Sequence, residues 1–518
     1  MPHGKSALLG NTIIFNNMKT RITNYIRAAY PCLYIVSAEE QRVESELKSV
    51  ADALQYSLWY WTPVNGLVNV ASGTGSNAGD PLEALDAIAE ASEKSIFVLK
   101  DLHLYLDATN PNPVLVRKLK DLLVAAKATS KTIIILGCRI VLPPELEREI
   151  TVLDFALPGK EQLGTVLDGI LESAQLSPME SDHRAKVLEL AKGLTTIEAE
   201  NAMALSVVES KAVTPEIIAR EKAQALKKGG ILEVVESRVD LDAVGGMDVL
   251  KSWLINRQQA FTERATAYGL PCPKGLLILG IPGTGKSLTA KATASVFGVP
   301  LLRLDAGKLF GSLVGQSESN LRSAIATAEA ISPCVLWIDE LEKGFAGSKS
   351  TGSSDGGTSA RVFGSFLNWM QEKTSMVFVV ATANDISQLP PELLRKGRFD
   401  EIFFVDLPSQ KEREQIWQIQ IHKYGRKPED FDTVQLSRIT DGLTGSEIEA
   451  VFIEALYYAF SANREPSDLD IAGSMNEFTS LAETMAESIK ALRTWARGRA
   501  RLATKPEPQA QGRKLATA

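Results

Sequence analysis

The stretch GLLILGIPGTGKS, residues 275–287, decides the fold of this 518-residue chain. The apolar run at 276–279 predicts a buried strand, and LTAKATASVF, which follows the quoted stretch, has helical composition and spacing. The glycines between them let backbone N–H groups turn inward toward a phosphate at the start of a helix. Strand, phosphate loop and helix in this order predict a P-loop α/β domain.

The residues of this loop are expected to contact a bound nucleotide. Lys286 would reach the outer phosphates of ATP, and Ser287 would offer its hydroxyl to Mg²⁺. A glycine-rich turn before a helix matches the same spacing by chance in roughly one such chain in fifty, so the motif alone leaves that alternative open. The expected contacts are Gly280, Ile281, Pro282, Gly283, Thr284, Gly285, Lys286, Ser287 and Leu288.

Downstream polar residues make the alternative hard to sustain. The apolar run CVLWI ends in Asp339 and Glu340. Asp339 would hold Mg²⁺, and Glu340 would polarise the water that attacks the γ-phosphate. Asn384, at the end of VFVVATAN, would orient that water. A solvated acidic strand end is the competing interpretation for the two carboxylates.

Two arginines in ELLRKGRFD complete the expected catalytic set. Arg395 and Arg398 lie three residues apart just before a strand, a place where arginines are more often plain surface residues. Their spacing here fits a pair that reaches into the nucleotide of a neighbouring subunit and neutralises charge on the γ-phosphate. The expected catalytic residues are thus Glu340, Asn384, Arg395, Arg398 and Lys286, and the expected metal ligands are Ser287 and Asp339.

The first half of the chain repeats this pattern without its chemistry. LPPELEREITVLDFALP at 142 parallels LPPELLRKGRFDEIFFVDLP at 389, and GLTTIEAE at 193 parallels GLTGSEIE at 442. Where a phosphate loop would lie, Glu39 and Glu40 would repel phosphate, and Asp101 is followed by Leu102 where a glutamate is expected. We interpret this as an internal duplication whose first copy is inactive; chance resemblance of two α/β domains is the alternative.

Composition limits the class of protein. The net charge of −7 argues against a nucleic-acid coat, although a local basic patch stays open. No secretory signal and no run of ~18 apolar residues is seen, so we expect a soluble protein of the cytoplasm, or of the plastid stroma. The lack of HExxH excludes a zinc protease domain. The cysteines lack CxxC spacing and mostly lie near apolar runs, which predicts buried free thiols: Cys32, Cys138, Cys272 and Cys334.

The patterns predict five segments. These are a flexible N-terminus at 1–19, a degenerate α/β domain at 20–230 with a joint at Gly229 and Gly230, an ATPase large domain at 231–408, a helical lid at 409–504 and a disordered tail at 505–518.

The motifs in the second half, VGGMD, GIPGTGKS, VGQSESNLR, CVLWIDE, ATAN, LLRKGRFD and GLTGSEI, resemble the AAA group of the AAA+ ATPases over about residues 238–463. This resemblance implies a homo-oligomeric ring, usually a hexamer, with ATP bound between subunits. By position it places five further residues near the adenine: Gly245, Gly246, His422, Gly445 and Ser446. Ser446 departs from the alanine usual in the family and could add a hydrogen bond.

A second departure concerns the loop that faces the central pore. Family members that thread polypeptides commonly carry an aromatic residue there, whereas GSLVGQSE has Leu313 and Val314. Leu313 would grip a chain only by apolar contact, or these residues would merely anchor the loop. A second loop at 347–359 is flexible by composition and could also face the pore.

Over its whole length the chain resembles the AAA ATPase family first named as a hypothetical plastid open reading frame, found in cyanobacteria and algal plastids. That resemblance implies a photosynthetic host and a role in regulating photosynthesis or carbon uptake. Near the end, KALRTWARGRARLATK predicts a helix carrying Arg493, Arg497, Arg499 and Arg501, either a solvated face or a site for an acidic partner or nucleic acid.

Three functions follow from these observations. The leading hypothesis is a Mg²⁺-dependent ATPase ring that remodels or regulates an unidentified protein partner. The second is a scaffold whose assembly is driven by ATP, with slow hydrolysis as a timer and the inactive first copy recruiting a partner. A motor stimulated by nucleic acid is the third, and the acidic composition disfavours it.

Overall fold

The computed structural model describes residues 18–92, 94–106, 110–228, 231–235, 239–261, 263–310, 316–345, 356–395, 397–476 and 478–505. Packing divides this part of the chain into two compact units. The first extends to Pro178 and includes Leu194–Ala204, and the second contains Met179–Gly193 and the chain from Leu205 onward. Among the described residues, no helix combines the length and the apolar character that crossing a bilayer requires.

Strands and helices alternate through the first unit. Its elements, in chain order, are α1 (Met18–Arg27), β1 (Cys32–Val36), α2 (Glu40–Leu54), β2 (Ser57–Thr62), β3 (Gly66–Asn69), β4 (Gly75–Ser76), α3 (Pro81–Glu90), β5 (Ser95–Lys100), α4 (Pro113–Ala128), β6 (Lys131–Gly137), β7 (Ile150–Asp154) and α5 (Lys160–Ser173). Three helices follow along the chain: α6 (Ser181–Ala191) and α8 (Pro215–Lys228) belong to the second unit, while α7 (Thr196–Ser210) begins in the first unit and ends in the second.

The second unit has the same alternation and then a run of helices. Its elements are β8 (Leu232–Val234), α9 (Asp248–Arg257), α10 (Glu263–Tyr268), β9 (Gly275–Gly280), α11 (Lys286–Phe297), β10 (Leu301–Leu304), α12 (Ala306–Phe310), α13 (Gln316–Ile331), β11 (Cys334–Ile338), α14 (Gly356–Glu372), β12 (Val377–Ala383), β13 (Glu401–Val405), α15 (Gln410–Lys423), α16 (Thr433–Ile439), α17 (Gly445–Ser461), α18 (Asp468–Asn476), α19 (Leu481–Thr484), α20 (Ala486–Ala496) and β14 (Arg501–Leu502).

The two sheets share one topology. The first runs β4-β3-β2-β5-β6-β1-β7 and the second β14-β13-β9-β12-β11-β10-β8. In each, five parallel strands numbered along the chain lie in the order 5-1-4-3-2 (β7-β1-β6-β5-β2 and β13-β9-β12-β11-β10). Short edge strands extend both sheets. The predicted α/β fold, with a P-loop domain preceded by a degenerate copy, is confirmed, and the common strand order supports the duplication.

The strand β9 shows why these residues form a central strand. All six of its residues are buried. Leu277 and Leu279 pack into the apolar cluster on one face of the sheet, while Leu276 and Ile278 pack into the cluster on the other. A strand covered by helices on both faces needs an apolar residue at every position, because successive side chains point to opposite faces. The carboxyl end of β9 is thereby fixed where the phosphate loop begins.

The helices α15 to α18 form a small core of their own. Trp417 and Phe452 are fully buried at its centre, with their rings 6.1 Å apart in an edge-to-face arrangement. Both α15 and α17 begin with a capping box, from Ser409 and Thr444 respectively, which satisfies N–H groups that a helix start leaves unpaired. This helical lid follows β13 directly.

The basic helix predicted near the C-terminus does not form as expected. The helix α20 ends at Ala496, and Gly498, at φ +76°, turns the chain into β14. Arg493 on α20 bonds Asp406, with both oxygens 2.9 Å from Nε, whereas Arg501 lies in β14 next to Glu401. The arginines Arg493, Arg497, Arg499 and Arg501 therefore do not share one helix face, because the glycine ends the helix between them.

The four cysteines are free thiols, but they differ in exposure. Cys32 and Cys334 are buried as predicted, and burial raises the pKa of the Cys334 thiol to about 12. Cys272 is half-buried. For Cys138 the prediction of burial is wrong, because this residue lies just beyond the end of β6 and is exposed.

Candidate nucleotide-binding site

The phosphate loop connects β9 to α11 in the predicted order. Its backbone takes left-handed conformations at Gly283 (φ +77°) and Gly285 (φ +91°), and α11 begins at Lys286. A side chain at Gly283 would not fit, because its Cβ would lie 2.1 Å from Oγ of Ser446. The loop N–H groups and the N-terminus of α11 thus converge on one point, which suits an anion.

Lys286 is buried within the loop that it follows. Its Nζ donates to the carbonyl oxygens of Gly280 at 3.0 Å and Ile281 at 2.6 Å, and only 6% of the residue is exposed. Burial lowers the pKa of Lys286 to about 8, and the carboxylates of Glu342, Asp339 and Glu340 oppose that shift. A bound phosphate would act in the same direction as these carboxylates.

Asp339 joins the end of β11 to the loop and to β12. Its Oδ1 accepts hydrogen bonds from Oγ of Ser287 at 3.0 Å and from Oγ1 of Thr382 at 2.6 Å. Thr382 in turn accepts from the N–H of Glu340 at 3.1 Å. The two expected metal ligands are therefore in direct contact, held by a threonine that the sequence reasoning missed. Its only signal was one hydroxyl inside the otherwise apolar strand VFVVATA.

Glu340 and Asn384 lie beside this bridge. Nδ2 of Asn384 is 3.5 Å from Oε1 of Glu340, while Oε2 of Glu340 contacts Nζ of Lys343 at 2.5 Å. A second missed residue, Glu342, accepts from the N–H of Asn384 at 2.9 Å, and burial raises the pKa of its carboxyl. The ends of β11 and β12 are thus tied together at the point where Glu340 and Asn384 meet.

A cavity of about 1110 Å³ opens over the loop and reaches the lid. Of the residues predicted from the sequence, Gly245, Pro282, Gly283, Thr284, Gly285, Lys286, Ser287, Leu288, Asp339, Glu340, Asn384, His422, Gly445 and Ser446 line it.

Three predicted residues lie just outside that lining. Gly280 and Ile281 supply the carbonyl oxygens that bond Lys286. Gly246 anchors its segment to the lid, because its N–H donates to Oε1 of Gln415 at 3.0 Å. These three residues do not line the cavity, but their hydrogen bonds hold its walls in place.

The lid touches the phosphate loop directly. The N–H of Ser446 donates to the carbonyl of Gly283 at 3.1 Å, and its Oγ lies 3.3 Å from Oγ1 of Thr444. The additional hydroxyl expected at this departure from the family pattern is therefore placed beside the loop. A movement of α17 relative to β9 would therefore act on Gly283 through this hydrogen bond.

The two arginines lie away from the cavity of their own chain. Arg395 is exposed, and Arg398 is half-buried. Among the described residues no hydrogen-bond partner is found for the buried Nη1 of Arg398. Neither arginine lines the cavity. Leu313 and Val314 lie outside the described residues, as does the predicted loop as far as 355; from Gly356 the chain belongs to α14.

The site fits ATP and Mg²⁺ by its own chemistry. Ser287 and Asp339 offer two oxygen atoms 3.0 Å apart, the ligand type that Mg²⁺ prefers. The loop has converging N–H groups and a buried lysine for phosphate. Gln420, on the lid side of the cavity, has a buried Oε1 without a hydrogen-bond partner among the described residues, which leaves an acceptor for a base amino group.

The equivalent edge of the first unit is closed by its own side chains. Glu39 occupies the position of the phosphate loop and is 4% exposed. Its Oε1 accepts from the N–H of Thr196 at 2.6 Å and from Oγ1 of the same residue at 2.7 Å, and Arg42 contacts Oε2. Thr196 begins α7, the counterpart of α17. The carboxylate of Glu39 thus joins the segment after β1 to the start of α7.

The structure also corrects the alignment of Asp101 with Asp339. Asp101 and Glu340 both follow the third core strand in a left-handed conformation, at φ +56° and +48°. Asp101 is therefore the counterpart of Glu340, and Lys100, which pairs with Glu44, takes the place of Asp339. The sequence comparison paired Asp101 with Asp339 because both are aspartates, whereas the backbone conformation pairs Asp101 with the residue after Asp339.

The fold and the site together define a P-loop ATPase of the AAA class. The family model described as ATPase family associated with various cellular activities (AAA) matches residues 276–407. Two further models match the first half of the chain: the N-terminal domain of SpoVK-like AAA ATPases at 18–155, and their second domain at 161–229.

Whole-chain relatives make the assignment more specific. The AAA domain-containing protein ycf46 of Guillardia theta is 40% identical over 487 residues, which cover 92% of this chain and 95% of that protein. The ycf46 protein of Pyropia yezoensis is 42% identical over 488 residues, covering 92% and 98%. The proteasome-activating nucleotidase of Methanosarcina mazei is 29% identical over 245 residues, covering 46% and 58%. The chain belongs to the family of ycf46 AAA-domain ATPases.

Proposed function

We propose that this protein hydrolyses ATP with Mg²⁺ in a homo-oligomeric ring, a hexamer, and uses the cycle to remodel or regulate a protein partner. The observation that carries the proposal is the bridge at Asp339. One carboxylate oxygen there accepts from the loop serine and from Thr382, and so joins the loop to the strands that carry Glu340 and Asn384.

Each side chain has a role in this proposal. The loop N–H groups and Lys286 bind the outer phosphates, and Glu340 polarises the attacking water while Asn384 orients it. Ser287 and Asp339 would hold Mg²⁺, which when bound neutralises phosphate charge. Lys286 keeps its protonated form at pH 7 because its pKa is about 8.

The positions of the two arginines support the proposal of an oligomeric ring. Arg395 and Arg398 lie off the cavity of their own chain, so we assign them to the nucleotide of the adjacent subunit, where their charge stabilises the transition state. A hydrolysing site then needs two chains. The resemblance to the family further suggests a photosynthetic host, a location in the cytoplasm or plastid stroma, and a link to photosynthesis or carbon uptake.

The substitution Glu340→Gln tests hydrolysis. It keeps the size of the side chain and removes the base, so ATP turnover should fall about a hundredfold or more while binding of a fluorescent ATP analogue persists. Glu487→Gln is the matched control, because Glu487 is exposed on α20 and does not line the cavity; turnover should then change by less than about threefold. Unchanged turnover in Glu340→Gln would sink the assignment of Glu340.

An ATP-gated scaffold is the second candidate, and one observation favours it. Glu39 closes the equivalent edge of the first unit, which leaves that unit free for recruitment rather than catalysis. A remodelling enzyme should turn ATP over faster when its partner is added, and a scaffold should not. The Glu340→Gln protein held in ATP is the bait for finding that partner. Stimulation of turnover by RNA or DNA would instead support a nucleic-acid motor.

A further inference from the structure

The first unit places a cysteine, a histidine and an aspartate side by side at the carboxyl edge of its sheet. Nε2 of His103 lies 3.9 Å from Sγ of Cys138, and Nδ1 lies 3.7 Å from Oδ1 of Asp101. The thiol and the carboxylate thus face opposite nitrogens of one imidazole ring. They cannot bind one metal ion in this arrangement, but the thiol lies where the histidine can take its proton, and the charge of the carboxylate favours the imidazolium that results.

Two of these three residues occupy positions at which the second unit has proposed catalytic residues. Asp101 corresponds to Glu340. The main-chain carbonyl of each accepts a hydrogen bond from the main-chain N–H three residues further along the chain, at 3.0 Å for Asp101 and 2.9 Å for Glu340. Counting along the paired strands from this point, Cys138 takes the place of Asn384. His103, two residues after Asp101, then takes the place of Glu342. The first unit, which is the inactive copy, therefore retains a polar cluster at the place where the second unit has its proposed catalytic residues.

Burial and close packing confine the imidazole ring beside the thiol. The His103 side chain is 3% exposed, yet its Nδ1 has no hydrogen-bond partner among the described residues. A Cβ at Gly137 would lie 2.6 Å from that nitrogen, so a larger residue would displace the ring. Cys138 is exposed at the same place. A buried base thus adjoins a thiol that solvent can reach.

Burial, rather than the surrounding charges, favours a neutral imidazole at His103. Burial lowers the pKa of His103, and Arg139 acts in the same direction while Asp101 opposes it. Tyr34 is the other titratable group facing the cluster: its hydroxyl donates to the carbonyl of Arg139 at 2.7 Å, and burial raises its pKa to about 12. The neutral ring can accept the proton of the thiol.

We propose that Cys138 is a reactive thiol, activated by His103, that hydroperoxides oxidise. The proton of Sγ passes to Nε2, and the thiolate attacks the terminal peroxide oxygen, so that an S–O bond forms as the O–O bond breaks. The departing alkoxide or hydroxide takes the proton from the imidazolium and leaves as alcohol or water. The cysteine becomes a sulfenic acid, oxidised by two electrons, and the peroxide is reduced by two. This chemistry needs no nucleotide.

Alkylation of the full-length protein tests the activation step. Iodoacetamide at pH 7, followed by mass spectrometry of the cysteine peptides, should label Cys138 about tenfold or more faster than Cys272, whose thiol has its pKa raised by burial. His103→Gln should lower the Cys138 rate about tenfold and leave the Cys272 rate unchanged. Equal Cys138 rates in the variant and the parent overturn the proposal.

The parent protein provides a test that does not depend on the folding of a variant. At pH 7 Cys138 of the parent should react with iodoacetamide about tenfold or more faster than glutathione does in the same buffer; an equal rate overturns the proposal. Hydrogen peroxide with dimedone should then give a sulfenic adduct at Cys138, and Cys138→Ser should give none. Rapid alkylation without that adduct overturns the peroxide step.

Discussion

Replacing Thr382 with valine would remove one hydroxyl from the proposed catalytic centre and keep the shape of the side chain. That hydroxyl donates to Asp339 at 2.6 Å and accepts from the N–H of Glu340 at 3.1 Å. Thr382 is 1% exposed, so water cannot take over either bond without a rearrangement. Both groups that lose a bond belong to the machinery proposed to act on the γ-phosphate.

The expected loss follows from these two contacts. A hydrogen bond to a charged group contributes about 1.5–3 kcal/mol, and an unpaired buried N–H costs about 1–3 kcal/mol. We expect about 1.5–3 kcal/mol of this to appear in the barrier to hydrolysis, because the carboxylates lose their fixed positions. That lowers kcat roughly 10- to 150-fold.

The assay is steady-state ATP turnover as a function of ATP and of Mg²⁺. Thr382→Ser keeps the hydroxyl and loses a methyl group, so its kcat should stay within about threefold of the parent. Binding of an ATP analogue and the urea midpoint report whether the valine variant is folded. A folded Thr382→Val protein with kcat within twofold of the parent, at an unchanged Mg²⁺ requirement, would refute the argument.

Three other predictions use the same measurements. Lys286→Met should abolish ATP binding. The pKa of Lys286 is about 8 in the folded protein against an ordinary 10.5, so between these pH values the unfolded chain binds one proton more than the folded chain. The stability of the parent should therefore rise relative to that of the variant from pH 8 to 10.5. A flat difference would contradict the burial argument. Glu39→Gln should cost about 1–3 kcal/mol of unfolding free energy, through its bonds to Thr196, and leave ATP turnover intact. Arg398→Ala should bind ATP without hydrolysing it, and mixing it with Lys286→Met chains should restore part of the activity; no restoration would count against action between subunits.

The sequence was sufficient for the parts of the site that depend on spacing. The phosphate loop, Asp339 and Asn384 each end an apolar strand, and the ends of parallel strands meet at one edge of a sheet. The contact between Ser287 and Asp339 therefore follows from the order of motifs. Contacts through single hydroxyls do not: nothing in VFVVATA distinguishes Thr382 as a bridge from a threonine that merely suits a strand.

Two predictions failed for local backbone reasons. Gly498 ends α20 within the basic run, so residue type alone suggested a longer helix than the chain can form. Asp101 was aligned by chemical likeness, although the left-handed residue after the third core strand sets the register. In both cases the deciding quantity is a dihedral angle, and composition carries little information about it.

The small strand β14 has a mechanical consequence for the lid. The chain leaves the sheet at β13, forms the lid helices and returns beside β13, where Phe403 pairs with Arg501; the carbonyl of Ala503 then accepts from the N–H groups of Val249 and Leu250. The lid is thus bound to the edge of the sheet at both ends of its chain, in addition to its contacts with Gly246 and Gly283. Any displacement of the lid helices must therefore be accommodated at β13 and β14 as well as at the phosphate loop.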